Sequence, residues 1–178
     1  MALLALVCSA ARLQPSQVAV LQECEAVWNM TGSGWTAGGD CMLPHSIVQC
    51  NAEGMITRLY LTGINLNGTI PTSIANLTAL TLFKLDDSNV RGPLPTALSH
   101  LTRLAELTLH MNNLTGPISI LHHFSFLTYL DLSDNQFDGP VPSSISQLSL
   151  LTHINLKSTK IAGPIPSTIS ALHKLETS

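Results

Sequence analysis

The 178-residue sequence predicts a repeat solenoid of the α/β class, in which successive coils stack and each adds one short strand to a parallel sheet. Three observations predict it: a glycine that recurs at a near-constant interval, an apolar alternation ahead of each such glycine, and an unusual composition. Hydrophobic residues make up 45% of the chain, but only 4% is aromatic and 11% charged, so aliphatic side chains must build the core. Low charge with 11 glycines and 10 prolines argues against a helical bundle.

The repeat is defined by five glycines separated by 24, 24, 23 and 24 residues, namely Gly68, Gly92, Gly116, Gly139 and Gly163. The same pattern surrounds each one, as in LYLTGINLNGTIP (59–71) and LDLSDNQFDGPVP (130–142). The alternation L-x-L predicts a short strand with one buried face. The glycine allows a tight bend, and the following proline ends strand pairing. A fixed period of this length indicates stacked units that cannot fold singly.

The fourth coil illustrates the predicted core. Its inward positions are Leu127, Leu130, Leu132, Phe137, Val141, Ile145 and Leu148. The last two lie on the return segment and direct it back into the core.

The pattern resembles the plant-type leucine-rich repeat, L-x-x-L-x-L-x-x-N-x-L-x-G-x-I-P-x-x-L-x-x-L, over residues 56–175. The resemblance implies a right-handed superhelix with five repeats and its parallel sheet on the concave side. It also implies an extracellular location, as in receptor-like kinases, receptor-like proteins and cell-wall enzyme inhibitors. Residues 176–178 are interpreted as the start of a sixth repeat.

Two departures from the pattern predict local changes. At the asparagine position the five repeats carry Ile64, Ser88, Asn112, Asn135 and Thr159. Serine and threonine can make part of the hydrogen bonds of an asparagine, whereas isoleucine can make none. The third repeat is one residue short and has Ser119 in place of proline, so we expect irregularity there, on the convex side.

The N-terminal segment predicts secretion. Residues 1–11 are apolar and end in small residues, which is typical of a signal peptide, and they are too short to span a membrane. Four N-x-[ST] sequons follow, at Asn29, Asn67, Asn76 and Asn113. We therefore predict a secreted glycoprotein without a membrane span in this chain.

Residues 16–55 are interpreted as an N-terminal cap. The stretch QVAVLQECEAVW (17–28) predicts a helix with Ser16 as its N-cap and Val18, Leu21, Ala26 and Trp28 near one face. The segment is similar to the cap of the same repeat family, which implies a disulfide between Cys41 and Cys50. These cysteines are further apart than is usual in the family, and the tryptophan between them is missing. Cys24 is interpreted either as a buried free thiol or as the partner of a cysteine on another chain or beyond the given sequence.

Several classes of function are disfavoured. The net charge is −3 and no lysine or arginine run occurs, so we predict no nucleic-acid partner. The catalytic motifs G-x-S-x-G and H-E-x-x-H and the phosphate loop are missing, so we predict a protein that is not an enzyme and needs no cofactor. We also predict no metal site, because the Cys41, His45 and Cys50 set has too few ligands.

The candidate site is the concave face, defined as the solvent-facing side of the parallel sheet. Outward positions form columns across the coils, and neighbours in a column lie about 4.8 Å apart. The predicted ligand-binding residues are Arg58, Tyr60, Lys84, Asp86, Glu106, His110, Tyr129, Asp131, His153 and Asn155. Tyrosine and arginine often anchor interfaces. Four aspartates, Asp86, Asp87, Asp131 and Asp134, predict an acidic flank suited to a basic peptide.

The leading hypothesis is a non-catalytic recognition module for a peptide, protein or polysaccharide ligand, or for a co-receptor, within a receptor-like protein or kinase. The alternative is a soluble inhibitor of pathogen cell-wall hydrolases, similar to polygalacturonase-inhibiting proteins. A structural role in the cell wall ranks third.

Overall fold

The computed structural model describes residues 13–28, 41 and 47–176, and they form the predicted solenoid. The elements, in chain order, are α1 (Pro15–Val27), β1 (Val48–Cys50), β2 (Ile56–Tyr60), η1 (Thr72–Asn76), β3 (Leu82–Lys84), β4 (Arg91–Pro93), η2 (Thr96–His100), β5 (Glu106–Thr108), β6 (Asn113–Gly116), η3 (Ser119–His123), β7 (Tyr129–Asp131), β8 (Gln136–Gly139), η4 (Ser143–Gln147), β9 (His153–Asn155), β10 (Lys160–Ile161) and η5 (Ser167–Ala171), where η denotes a 3-10 helix. The predicted signal peptide, the Asn29 sequon and His45 lie outside the described residues.

The first sheet has six strands in the order β1-β2-β3-β5-β7-β9. Strand β1 from the cap runs antiparallel to β2, and the other pairs are parallel. The register is the predicted one: Arg58, Leu82, Glu106, Tyr129 and His153 follow one another across the parallel strands. The parallel sheet and its columns are therefore confirmed.

A second sheet, in the order β10-β8-β6-β4, was not predicted. It forms after the turn of each coil, where backbone N–H groups reach the carbonyls of the preceding coil. Arg91 N donates to Gly68 O at 2.8 Å, and Asn113 N donates to Val90 O at 2.7 Å. Glycine and proline within these segments argue against a strand when the sequence alone is considered.

The convex side carries the five 3-10 helices. Four of them follow a proline with extended backbone, at Pro71, Pro95, Pro142 and Pro166. Helix η3 follows Ile118 instead, whose φ and ψ are −94° and 22°. The predicted irregularity of the third repeat is thus a local change of backbone at Ile118, and the pairing of Glu106 with Tyr129 in the first sheet is unaffected.

One continuous apolar cluster runs through the coils. The predicted core residues of the fourth coil are all buried except Val141, which is half-buried. Burial weakens in the last coil, where Ile154 and Leu156 are partly exposed and Ile165 is 75% exposed.

The cap helix differs from the prediction in two details. Its N-cap is Gln14 and not Ser16, because Pro15 occupies the first helical position, where a missing N–H is harmless. Its buried residues include Leu21 as expected, but also Gln17, Val20 and Cys24, whereas Ala26 is exposed. Gln17 is buried because its Oε1 accepts the backbone N–H of Ile56 at 3.1 Å.

Two contacts join the cap to the first coil. Trp28 Nε1 donates to Thr69 O at 2.8 Å, and the indole approaches Gly68 so closely that a Cβ there would lie 3.0 Å from Trp28 Cδ1. Gly68 is therefore required by packing. The other four repeat glycines have φ of +83°, +79°, +77° and +111°, so they are required by the bend.

The predicted disulfide between Cys41 and Cys50 is present, with its Cα atoms 5.4 Å apart. Backbone N–H of Cys50 also donates to Cys41 O at 3.0 Å. The bridge fixes β1, and β1 covers the edge of β2. Within the described ranges, no helix has the length and apolarity needed to cross a membrane.

Candidate ligand-binding face

A groove with a volume of about 630 Å³ lies on the concave face. Eight of the ten predicted residues line it: Arg58, Tyr60, Lys84, Asp86, Glu106, His110, Tyr129 and Asp131. His153 and Asn155 lie beyond it, on β9. Leu82 and Thr108 also line the groove and were not among the predicted site residues. Leu82 and Thr108 share columns with predicted residues, so register was the signal that could have identified them.

Strand alternation places these side chains. Leu59, Phe83, Leu107 and Leu130 point into the core and are essentially fully buried. The residues on either side of each therefore face solvent. Because the parallel strands are in register, side chains from four coils meet in one groove.

Asp86 is an exception, and its predicted exposure is wrong, since the residue is only 7% exposed. Its Oδ1 accepts the backbone N–H of His110 at 3.0 Å, and its Oδ2 accepts the Thr108 hydroxyl at 3.3 Å. Lys84 Nζ lies 3.2 Å from the same Oδ2. Asp86 therefore forms hydrogen bonds to the next coil and neutralises the charge of Lys84.

Asp131 is also held internally. Its Oδ1 accepts both the backbone N–H and the hydroxyl of Ser133, and its Oδ2 accepts Asn155 Nδ2 at 3.1 Å. Ser133 itself is buried, with 2% of its surface exposed. The exposed part of the predicted acidic flank is consequently Asp87 and Asp134.

The tautomer of His110 follows from this network. Its Nδ1 lies 2.9 Å from Ser133 Oγ and 3.4 Å from Asp134 Oδ2. Because the Ser133 hydroxyl donates to Asp131, Ser133 can only accept from His110, so the neutral ring carries its proton on Nδ1. His110 Nε2 then remains as a hydrogen-bond acceptor for a ligand.

Two charged residues in the groove differ from the rest. Within the part of the chain that the structure describes, neither Arg58 nor Glu106 makes an ion pair or a side-chain hydrogen bond. Both are exposed. The groove thus offers one cationic and one anionic group that a ligand can neutralise.

The tyrosines provide the apolar surface. Tyr129 is 38% exposed, and its ring lies 5.4 Å from that of His153. His153 Nε2 in turn lies 3.3 Å from Glu176 Oε2. Tyr60 is half-buried at the opposite end of the groove.

A smaller hollow of about 330 Å³ lies at the turns that follow the strands, with lining residues Asp87, Asn89, Met111, Asn112, Asn113 and Asp134. Asp87, Met111 and Asp134 have left-handed backbone, with φ of 47°, 54° and 53°. The left-handed backbone at these three positions turns the chain after the strand of each coil.

The described sequons lie away from the groove. Asn113 begins β6 in the second sheet, Asn76 ends η1, and Asn67 precedes Gly68. All three are exposed. Among the described residues, no group of three or more histidine, cysteine, aspartate or glutamate side chains is placed to hold a metal ion.

Comparisons with known proteins agree on the fold. The family model described as Leucine Rich Repeat matches residues 126–148. No curated protein sequence matches the chain.

Many solved structures are similar, and three of them show the range of proteins involved. The ectodomain of the plant membrane receptor kinase GASSHO1/SCHENGEN3 from Arabidopsis thaliana, in complex with CASPARIAN STRIP INTEGRITY FACTOR 2, has a TM-score of 0.78 at 28% identity, over 90% of this chain and 20% of that one. The plant peptide hormone receptor RGFR1, in complex with RGF2, has a TM-score of 0.63 at 28% identity, over 70% and 20%. A plant ice-binding protein has a TM-score of 0.82 at 25% identity, over 90% and 54%.

The chain therefore spans about a fifth of the two receptor structures. Together with the glycine period, the parallel sheet and the continuous aliphatic core, these matches identify the chain as a leucine-rich-repeat solenoid with the fold of plant receptor-kinase ectodomains.

Proposed function

We propose that this chain is a non-catalytic, extracellular recognition module that binds a peptide ligand in the groove of its concave face. The observation that carries the proposal is the groove itself. It combines two tyrosines with the exposed charges of Arg58 and Glu106, on rigid strands in register. Such a surface favours an extended ligand, because it crosses several strands.

The similar receptors support a peptide partner. RGFR1 is a peptide hormone receptor, and both receptor structures contain a bound partner. Polysaccharide gains no comparable support from them. By analogy with these receptors, we propose that the chain is part of a longer receptor-like protein.

Three features support an extracellular location: the disulfide between Cys41 and Cys50, the exposed sequons, and the signal-like residues 1–11. Disulfides persist in oxidising compartments such as the cell exterior. On this proposal Asn67, Asn76 and Asn113 carry glycans that leave the concave face free.

The test is selection of peptides by the purified chain. A phage library of random nine-residue peptides is selected on the immobilised protein. Affinities are then measured for synthetic copies of the most enriched peptides. We expect Tyr60→Ala with Tyr129→Ala to weaken binding at least tenfold, because each aromatic anchor contributes on the order of 1 kcal/mol or more.

The matched control is Phe126→Ala, which removes an aromatic side chain that is 58% exposed and outside the groove. It should leave affinity unchanged, and thermal melting should show that both variants are folded. Equal affinities for the wild type and the tyrosine double variant would rule out the groove as the binding site.

A further inference from the structure

We infer that the groove selects a peptide that carries a carboxylate and a cationic group three residues apart. Arg58 binds the carboxylate and Glu106 binds the cationic group. An apolar side chain of the peptide, between the two charges, packs against Leu82. The inference rests on the proposed function and names the chemistry of its ligand.

The register places the three residues in line. Arg58 pairs with Leu82, and Leu82 pairs with Glu106, on the consecutive strands β2, β3 and β5. Neighbouring strands lie about 4.8 Å apart, so the cationic and anionic positions are about 10 Å apart along the groove.

This distance matches one regular peptide conformation. A polyproline-II segment has three residues per turn and rises about 3.1 Å per residue, so residues i and i+3 share one face about 9.3 Å apart. In a β-extended peptide, residues i and i+3 point to opposite sides. The groove therefore fits a polyproline-II segment with opposite charges at positions i and i+3.

The remaining charges of the groove contribute less to selectivity. Lys84 is neutralised by Asp86 at 3.2 Å, and both carboxylate oxygens of Asp86 are occupied. Asp131 is occupied by Ser133 and Asn155. A ligand that paired with these groups would have to displace existing partners, whereas Arg58 and Glu106 require no such exchange with any described residue.

Leu82 separates the two charges with an apolar surface. It is half-buried, and it lines the groove together with Tyr60 of the adjacent column. A charged or strongly polar ligand side chain at this point would lose water without gaining a partner. The peptide residues between the two charges should therefore be apolar.

The experiment compares peptide selections by the wild type and by two single charge reversals. The wild type should enrich peptides with one acidic and one basic residue at a spacing of three. Arg58→Glu should enrich two basic residues at that spacing, and Glu106→Arg should enrich two acidic ones. Each reversal should also weaken the best wild-type peptide roughly fivefold at low salt, as for a single partly exposed ion pair, with less effect at high salt.

Two formats identify the source of the carboxylate. In one library the peptides are fused through their N-terminus and end in a free carboxylate; in the other the C-terminus is joined to the coat protein. Enrichment confined to the free format assigns Arg58 to a terminal carboxylate, and enrichment of internal aspartate or glutamate assigns it to a side chain.

Matched controls are Arg91→Glu and Asp138→Arg, which reverse exposed charges on the second sheet. They should reproduce the wild-type selection. If a reversal does not fold, Arg58→Gln and Glu106→Gln replace it and should each remove the preference for one charge.

The outcomes distinguish peptide binding from recognition of the charge pair. If no peptide is enriched by any of the proteins, the proposed function fails. If peptides bind the groove but their charges do not follow the reversals, peptide binding stands and the charge-pair inference is overturned.

Discussion

At the scale of single residues, Cys24 has a strongly perturbed pKa. It is fully buried in the cap helix and, among the described cysteines, is the free one. Burial raises the pKa of its thiol from 9.0 to about 12, with a smaller opposing effect from the nearby Ser73 hydroxyl. Because the thiolate is the reactive form, the native thiol should resist alkylation and exchange.

The shifted pKa predicts a pH dependence of stability. In the folded protein the pKa of the Cys24 thiol is raised. The contribution of the neutral thiol to the free energy of unfolding is therefore complete below pH 9.0 and is lost as the pH rises toward about 12. Within this window the free energy of unfolding should fall by about 1.4 kcal/mol per pH unit relative to a variant without the thiol.

Urea denaturation of the wild type and of Cys24→Ala between pH 8 and 10.5 checks this prediction. The variant controls for tyrosine and lysine titration, which both proteins share. Parallel stability curves for the two proteins would contradict the assigned pKa.

At the scale of the element, the turns after the strands are stabilised by buried asparagines. Asn112 Nδ2 donates to Leu85 O at 2.6 Å and to Leu109 O at 3.0 Å. Its Oδ1 accepts backbone N–H groups of Ser88 and Val90 at 3.2 and 3.0 Å. At the same position in the preceding coil, the Ser88 hydroxyl donates to Leu61 O, so serine replaces part of the asparagine's role as expected.

Asn112→Ala should destabilise the protein by about 3 kcal/mol, because it leaves several buried backbone groups without partners. The measurement is chemical denaturation, with Asn113→Ala as the control. Asn113 is adjacent but exposed, and among the described residues its side-chain amide donates to the side chain of Asn89, at 3.2 Å. Equal losses in the two variants would show that burial of the amide is unimportant.

The sequence predicted those elements in which the same alternation of apolar and polar residues recurs from coil to coil. Leu107 and Leu130 alternate with polar neighbours, and this alternation specified the strands, their register and most of the groove. The second sheet was missed because Gly92 and Pro93 in β4 disfavour a strand, and pairing arises only when coils stack.

The chemistry of the groove was less predictable for a related reason. Whether Asp86 faces a ligand depends on the position of His110 in the next coil, which alternation does not specify. Arg58 and Glu106 could be recognised as available only once the partners of the other charges were known.

At the scale of the whole molecule, stability should vary along the solenoid axis, because each coil contacts only its neighbours. The coil of β9 has partly exposed core residues, Ile154 and Leu156, whereas Leu107 and Leu109 in the coil of β5 are buried. Local opening should therefore be more frequent near β9.

Hydrogen exchange followed by mass spectrometry should show faster exchange in residues 153–156 than in residues 106–109. The two segments are compared within one protein, so each serves as the control for the other. Equal protection would indicate that the solenoid opens as a single cooperative unit.

The fold alone does not determine the ligand. A plant ice-binding protein has a TM-score of 0.82 to this chain, higher than that of the receptor GASSHO1/SCHENGEN3 at 0.78. Side chains on the faces must therefore carry the distinction between functions.

The asparagine contacts also have a consequence for synthesis. Asn112 and Asn135 both bond to backbone of the coil before their own, as in the contact from Asn112 to Ser88, 24 residues earlier. As the chain leaves the ribosome from its N-terminus, each turn lacks its asparagine until the next coil has emerged. Folding should thus follow translation with a delay of one coil, so that the newest coil is always the incomplete one.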